Sequence, residues 1–273
     1  SMSAVNPIEP QTLRGWKAAA VHLMVYVPVF IGLLPQITVT YTAFQNTNGV
    51  RFVEGYSLNS FSKALSKLSS SVGNTLLYSL IAVLIIVVLG TLIAYLTVRR
   101  HTTAVSILDS LTMMPYIIPG SVMGIALLLG FSSKPIKLMG TAAIIILAYI
   151  LRRMPYTIRS ASAILMNIHP SVEEASMSLG ASKPKTFVKI TAPMMRNGVI
   201  SGAILSWMTI ISELSASVLL YVTKTQTLTI AIYTEVVRGN YGTAAALSVM
   251  LTTVTVLVLM IFFKVSGKRE MSL

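Results

Sequence analysis

Two groups of residues offer this chain its chemistry. The first is the segment 173–193, EEASMSLGASKPKTFVKITAP, charged and water-seeking yet set between long apolar runs. An acidic-to-basic amphipathic segment in that setting is suited to presenting a docking surface to a partner in water. The second is Glu213, a carboxylate within the apolar stretch ISELSASVLLY, residues 211–221. A charge inside a membrane span costs a few kcal/mol, so it must face a bundle interior or a wet cavity. At helical spacing Thr209, Ser212, Glu213 and Ala216 share a face, with Ser217 beside it, making a small polar stripe. Three readings fit that stripe: a pathway or gate residue favouring a cation, a hydrogen-bonding switch between two arrangements, or a satisfied bond between helices.

Other chemistries find no support. There are no cysteines, which removes disulfides and thiolate metal sites. His22, His101 and His169 are scattered without ligand spacing, so no metal site is expected. The pair Gly267-Lys268 lacks the upstream glycine and the following hydroxyl residue of a phosphate loop. Neither a nucleophile elbow nor a metalloprotease helix is present. No catalytic residues and no cofactor of the chain's own are expected.

The elements that must position these residues are apolar helices. Of 273 residues, 54% are hydrophobic and 11% charged, against about 25% charged in ordinary soluble domains. Mean hydropathy is +0.77. Six runs are long enough to cross about 30 Å of hydrocarbon as helix: 18–44, 75–98, 107–131, 138–156, 199–221 and 243–263. The fourth is the weakest, its strictly apolar part ending at Leu151. Period-two alternation is absent from these runs, which speaks against a β-barrel. The expectation is an all-α membrane protein of six transmembrane helices, with a cytoplasmic helix between spans four and five. The net charge of +13 invites a nucleic-acid reading, but its distribution argues otherwise. With the N-terminus in the cytoplasm, 14 of the 21 basic residues fall inside and 7 outside, the bias of the positive-inside rule. Arg152, Arg153 and Arg159 are counted inside in that tally. Residues 1–17 form a polar cytoplasmic tail with Pro7 and Pro10, and both termini lie inside. Nothing in residues 2–17 resembles a cleavable leader, so the first run should remain as a span. Residues 45–73 read as an outer loop, with a short surface helix over 58–68. Pro115, Pro119, Gly120 and Gly124 in the third run permit bending and close helix approach.

Within the loop at about 170–193, Ser171 is placed to cap a helix, with Glu174 three residues later in capping-box spacing. Glu173 and Glu174 suit the positive end of the helix dipole. Gly180 stands where a left-handed residue would end that helix. Ser182 and Pro184 can open a second one, with Phe187, Val188 and Ile190 as its apolar face. An amphipathic linker without a partner, held at the interface by Lys183, Lys185 and Lys189, is the plainer alternative.

The spacing E-A-A-x3-G-x9-I-x-L-P is met by Glu174, Ala175, Ser176, Gly180, Ile190 and Pro193. Ser176 stands for the second alanine and Ala192 for the leucine, both small changes that leave the turn intact. This resembles the coupling loop of permease subunits in binding-protein-dependent ABC importers. The segments RRMPYTIRSASAIL, ELSASVLLY and IAIYTEVVRGNYGTAAALS are similar to the ferric-iron branch of those permeases, over essentially the whole chain. The resemblance implies a transmembrane domain over 18–273 in a bacterial inner membrane. Its implied partners are a cytosolic ATPase dimer carrying ATP and Mg, a second six-span unit, an extracytoplasmic substrate-binding protein and membrane lipid. Glu173 is grouped with the motif residues as ATPase-coupling. Related permeases carry thiamine, phosphonates, polyamines and sulfate, so those substrates stay open beside ferric iron. A passive channel or a membrane scaffold would lack energy coupling.

Overall fold

A computed structural model describes residues 14–266. The tail through residue 13, with Pro7 and Pro10, and the end bearing Gly267 and Lys268 lie outside that range. Helix α1 (Trp16–Phe44) is 29 residues, about 44 Å long. It carries Pro28 and Pro35, and Leu23, Met24, Phe30 and Ile31 are exposed along it, an outside suited to hydrocarbon. Its Thr38, Thr40 and Thr42 hydroxyls donate back to carbonyls of Leu34, Gln36 and Thr38, so no polar group faces lipid unsatisfied at those positions. Gln36 Nε2 donates to Thr252 Oγ1 at 3.2 Å, pinning α1 to the last helix.

A hairpin follows, β1 (Gln45–Asn48) and β2 (Arg51–Tyr56), antiparallel with a register shift between Gln45 and Asn46. Then comes α2 (Asn59–Arg99), 41 residues without a break. The expected outer loop over 45–73 is thus a hairpin and the start of this helix, and the expected surface helix over 58–68 is its first part. The serine run belongs to the helix because its neighbours are used inside. Ser71 and Thr75 are buried, and Thr75 Oγ1 accepts from Leu228 N at 2.7 Å.

The third run divides into α3 (Thr103–Ile117) and α4 (Gly120–Gly130), bent by 111° at the Ile118-Pro119 break. Proline disfavours helical backbone in the residue before it and lacks a donor, so the break falls there. Helix α5 (Ala142–Met166) is the axis of the bundle, with Ile144, Ile145, Ile158 and Leu165 wholly buried.

The elbow comprises α6 (Ser171–Ser178), α7 (Lys183–Thr186), a widened π turn (Phe187–Thr191) and α8 (Ala192–Met194). Helix α9 (Arg196–Ile211) returns along α5. Gly198, Gly202 and Ser206 form its small-residue stripe. A Cβ on Gly202 would lie 2.6 Å from Thr157 Cα, so only glycine admits this approach. After an unwound stretch come α10 (Ser217–Leu220), α11 (Leu228–Val237) and α12 (Tyr241–Ser266). Asn74 Nδ2 ties the connection to α2 by donating to Lys224 O and Gln226 O.

Among the described residues, three helices are long and apolar enough to cross a membrane: Trp16–Phe44, Ser69–Arg99 and Tyr241–Lys264. Counted as one broken span, the bent pair α3–α4 would bring the number to four. The other two expected runs fall on α5, which carries Arg152, Arg153 and Arg159, and on α9, which stops after 16 residues.

Candidate functional site

The elbow end of the bundle is built on a short helix with a glycine stop. Gly180 has φ +88, and a Cβ there would meet nothing within 4 Å, so conformation rather than crowding requires glycine. Ala181 N donates to Ser176 O and Gly180 N to Met177 O, the paired bonds of a Schellman ending. The start differs from expectation. Pro170 occupies the cap position in helical backbone, and Ser171 is the first helical residue. Its hydroxyl pairs with His169 Nδ1 at 2.8 Å, so no Ser171–Glu174 capping box forms. Ser182 does precede α7, with Pro184 in the first turn, though its side chain makes no cap bond.

The two neighbouring glutamates part company. Glu174 is exposed, together with Ala175, Met177 and Leu179, the last 91% exposed. Lys183, Lys185 and Val188 are exposed on the second arm. Val188 therefore leaves the expected apolar face to Phe187 and Ile190, both half-buried. Pro193 is exposed in α8. Glu173 turns inward instead. Its Oε1 accepts from Arg99 Nε at 2.9 Å and its Oε2 from Tyr95 OH at 3.0 Å. Arg99 Nη2 donates to Ile168 O at 2.8 Å, and the Tyr95 ring packs on Phe187 with centroids 4.8 Å apart. Ser176, where the motif has alanine, shares a 3.0 Å hydrogen bond with Thr186 across the elbow, both residues buried. The arrangement gives one face to the bundle and one, apolar and charged by turns, to the surroundings.

The second site lies where two helix breaks meet. The helical stripe expected over 209–217 does not exist as one face, because α9 ends at Ile211 and residues 212–216 are unwound. Thr209 Oγ1 donates to Leu205 O and Ser206 O, and exposed Ser212 donates to Met208 O. Glu213 and Ser217 are buried, and Ser217 Oγ donates to the Glu213 carbonyl. The Glu213 side chain is 2% exposed. Its carboxylate accepts from Arg152 Nη1 at 2.6 Å, from Arg153 Nη2, from Ser215 Oγ at 2.8 Å and from Ala216 N at 2.9 Å. The last two bonds explain the break: the side chain captures the backbone donor that opens α10. Gly120, at the other break, admits this knot, since its Cβ would lie 2.0 Å from Ser215 Oγ and 2.7 Å from Arg152 Nη1. The Nε atoms of Arg152 and Arg153 are buried without a partner. Two guanidiniums thus surround one carboxylate, and the cluster carries a surplus positive charge.

Sequence reasoning passed over four of these partners. Arg152 and Arg153 were counted as cytoplasmic; without them the inside-to-outside tally is 12 against 7, with the same sign. Asp109 lies within the third apolar run and accepts from Arg159 Nη2 at 3.1 Å. Arg99, one residue past the second apolar run, is the partner of Glu173. The available signal was arithmetic: carboxylates in apolar runs need cations at matching depth.

The sequence from 86 to 270 matches a family described as binding-protein-dependent transport system inner membrane component. A ferric transport system permease from Actinobacillus pleuropneumoniae is 31% identical over 229 residues, covering 84% of this chain and 32% of the relative. The chain spans about a quarter to a third of the length of the ferric relatives it matches. A molybdate/tungstate transport system permease from Pyrococcus abyssi is 30% identical over 200 residues, 72% of this chain and 78% of that one. A relative in Salmonella paratyphi A named for 2-aminoethylphosphonate transport is 29% identical over 251 residues, 90% and 93% respectively. Among solved structures, a chain of a bacterial ABC transporter involved in alginate import aligns with TM-score 0.70 at 17% identity. That alignment covers 94% of this chain and 99% of the other, a likeness of fold. With its helices, its elbow and a family match over most of its length, this chain belongs to the inner membrane components of binding-protein-dependent transport systems, the permease subunits of ABC importers.

Proposed function

We propose that the chain is a six-span permease unit for ferric iron, with its elbow in the cytoplasm driving transport from a separate ATPase. On this reading α5 and the α9–α10 pair complete six crossings, Arg152 and Arg153 of α5 being paired with Glu213 inside the bundle. Residues 18–273 act as one transmembrane domain, with both termini cytoplasmic. ATP and Mg belong to a partner ATPase dimer; a second six-span unit completes the pathway, and an extracytoplasmic binding protein delivers cargo. Glu174, Ala175 and Gly180 present the docking face, while Ile190 and Pro193 carry the turn back toward the bilayer. Glu213 and Ser217 form the gate knot, with Thr209 and Ser212 beside it.

The observation that carries the reading is the exposed face of α6. Leu179, 91% exposed at the end of α6, and Glu174, exposed in its first turn, on a helix buttressed through Glu173, fit a surface completed by another protein. Exchanging Glu174→Lys reverses the charge of that face, and Gly180→Asp imposes about 1–2 kcal/mol of left-handed backbone strain. Both variants should insert normally yet lose the ATPase on purification and lose uptake in proteoliposomes. Retained ATPase and unchanged uptake in both would overturn docking through α6.

A second substrate reading rests on the Arg152–Arg153–Glu213 cluster. Its surplus positive charge suits an anionic cargo, such as a phosphonate or metal oxyanion, better than thiamine or a polyamine. Uptake of radiolabelled ferric iron against labelled phosphonate and molybdate, with the cognate binding protein, separates the two.

A further inference from the structure

We infer that Glu173, Arg99 and Tyr95 form a joint that passes movement of the elbow to α2, a task separate from docking. This rests on the proposed coupling role of α6. An eight-residue helix is too short to hold its own shape or direction in water, so its orientation must be set from outside itself. The joint sets it from three sides. The carboxylate of Glu173 uses both oxygens, one on Arg99 and one on Tyr95. The Arg99 guanidinium reaches past it to Ile168 O, at the junction of α5 and α6. The ring of Tyr95 bears on Phe187, the first residue of the π turn in the second arm. One turn of α2 therefore grips the entry to α6, its first turn and the return arm. Side-chain exposure is 13% for Arg99 and 11% for Glu173, so water does little to screen the pair.

The charge count separates this joint from docking. One cation meets one anion, leaving no net charge for an ATPase to read, and the neighbouring Glu174 is the carboxylate that faces outward. Along the other direction, α2 runs unbroken from Arg99 to Asn59 near the hairpin. It packs on α5, α9, α11 and α12 on the way. A pull on α6 thus reaches the opposite end of the bundle through one rigid rod rather than through loops.

The test uses the assembled complex of permease, ATPase and binding protein in proteoliposomes. The variants are Glu173→Gln, Arg99→Lys and Tyr95→Phe, with Glu174→Lys beside them. The first three should bind the ATPase in wild-type amount and hydrolyse ATP, while cargo moved per ATP falls roughly tenfold, within the usual range of coupling between sites. Glu174→Lys should instead lose the ATPase itself. Because the chain has no cysteine, spin labels can be placed at Met177→Cys and Leu84→Cys alone, the first on the flank of α6 one turn from Glu173 rather than at the centre of the Glu174–Ala175 face. Their separation should stay fixed between nucleotide-free and ATP-bound states in the otherwise wild-type chain, and shift with nucleotide in Glu173→Gln. Unchanged cargo per ATP in all three variants, or a label separation that changes with nucleotide without Glu173→Gln, overturns the joint. Loss of the ATPase in step with uptake also overturns it, since Glu173 would then belong to the docking face. Normal ATPase binding by Glu174→Lys would sink the docking reading and leave the label result to judge the joint.

Discussion

Glu173 meets one guanidinium and a phenol at the rim of the bundle, whereas Glu213 meets two guanidiniums, a hydroxyl and a backbone N–H in its interior. Side-chain exposure is 11% for the first and 2% for the second. The rim pair is electrically balanced and joins two helices end to side. The interior cluster is over-matched, and it fastens α5 to the α9–α10 break with the α3–α4 break packed against it. Balance lets a pair sit at the edge of water and move with its helices. Surplus charge around a carboxylate 2% exposed makes that carboxylate indispensable, because two half-buried guanidiniums depend on it.

The largest effect should follow from removing that carboxylate. Glu213→Gln keeps the shape but strands both guanidiniums, and breaking a buried pair in this way costs about 3–5 kcal/mol. Glu173→Gln should cost less, about 1.5–3 kcal/mol, the worth of hydrogen bonds to a charged group. Thermal or SDS unfolding of the purified chain in detergent checks the ordering. Arg153→Met sharpens the contrast, since it sheds the surplus cation and leaves a neutral Arg152–Glu213 pair. It should be nearly neutral, where Glu213→Gln is severe. Equal costs for Glu173→Gln and Glu213→Gln would erase the distinction drawn between rim and interior.

Gly120→Ala probes the same interior knot without touching a charge. The added methyl would lie 2.0 Å from Ser215 Oγ, so either the Ser215–Glu213 bond opens or the α3–α4 break shifts. Overpacking of this kind costs about 1–3 kcal/mol. Unfolding should report that loss, while ATPase binding at the elbow stays at the wild-type level. A stability unchanged by Gly120→Ala would mean that the two breaks do not press on one another.

The two regions also differ in how far the sequence disclosed them. The elbow was legible in its turn: Gly180 and Pro184 act through local backbone geometry, which spacing alone specifies. Its cap was not, because Pro170 and His169 compete locally for the groups Ser171 would have used. Glu213 was legible as a buried charge that needs company. Its company was hidden, since Arg152 and Arg153 follow the apolar end at Leu151 and imitate the basic flank of a span. Helix α5 continues to Met166 because those arginines find tertiary partners, and no local pattern encodes a contact 60 residues away. The same holds for the serines before Thr75, which read as loop until α11 supplies the Leu228 N–H that Thr75 accepts.

The smallest effect should come from the third ion pair, which sets the scale for the other two. Asp109 and Arg159 join α3 to α5 at 3.1 Å with side chains 32% and 56% exposed. Exposed pairs of this kind contribute at most about 1 kcal/mol, because water screens the attraction and holding two side chains costs entropy. Asp109→Asn should therefore lower the unfolding midpoint only slightly. The difference from wild type should vanish at 1 M salt, where the screening length is about 3 Å. Glu213→Gln should keep nearly all of its penalty under the same salt, its carboxylate side chain being 2% exposed, and Glu173→Gln, at 11%, should keep most of its own. Depth in the bundle, rather than the number of contacts around each carboxylate, then sets the order Glu213, Glu173, Asp109. A salt-insensitive loss on Asp109→Asn would place that pair beside the buried ones and break the gradient.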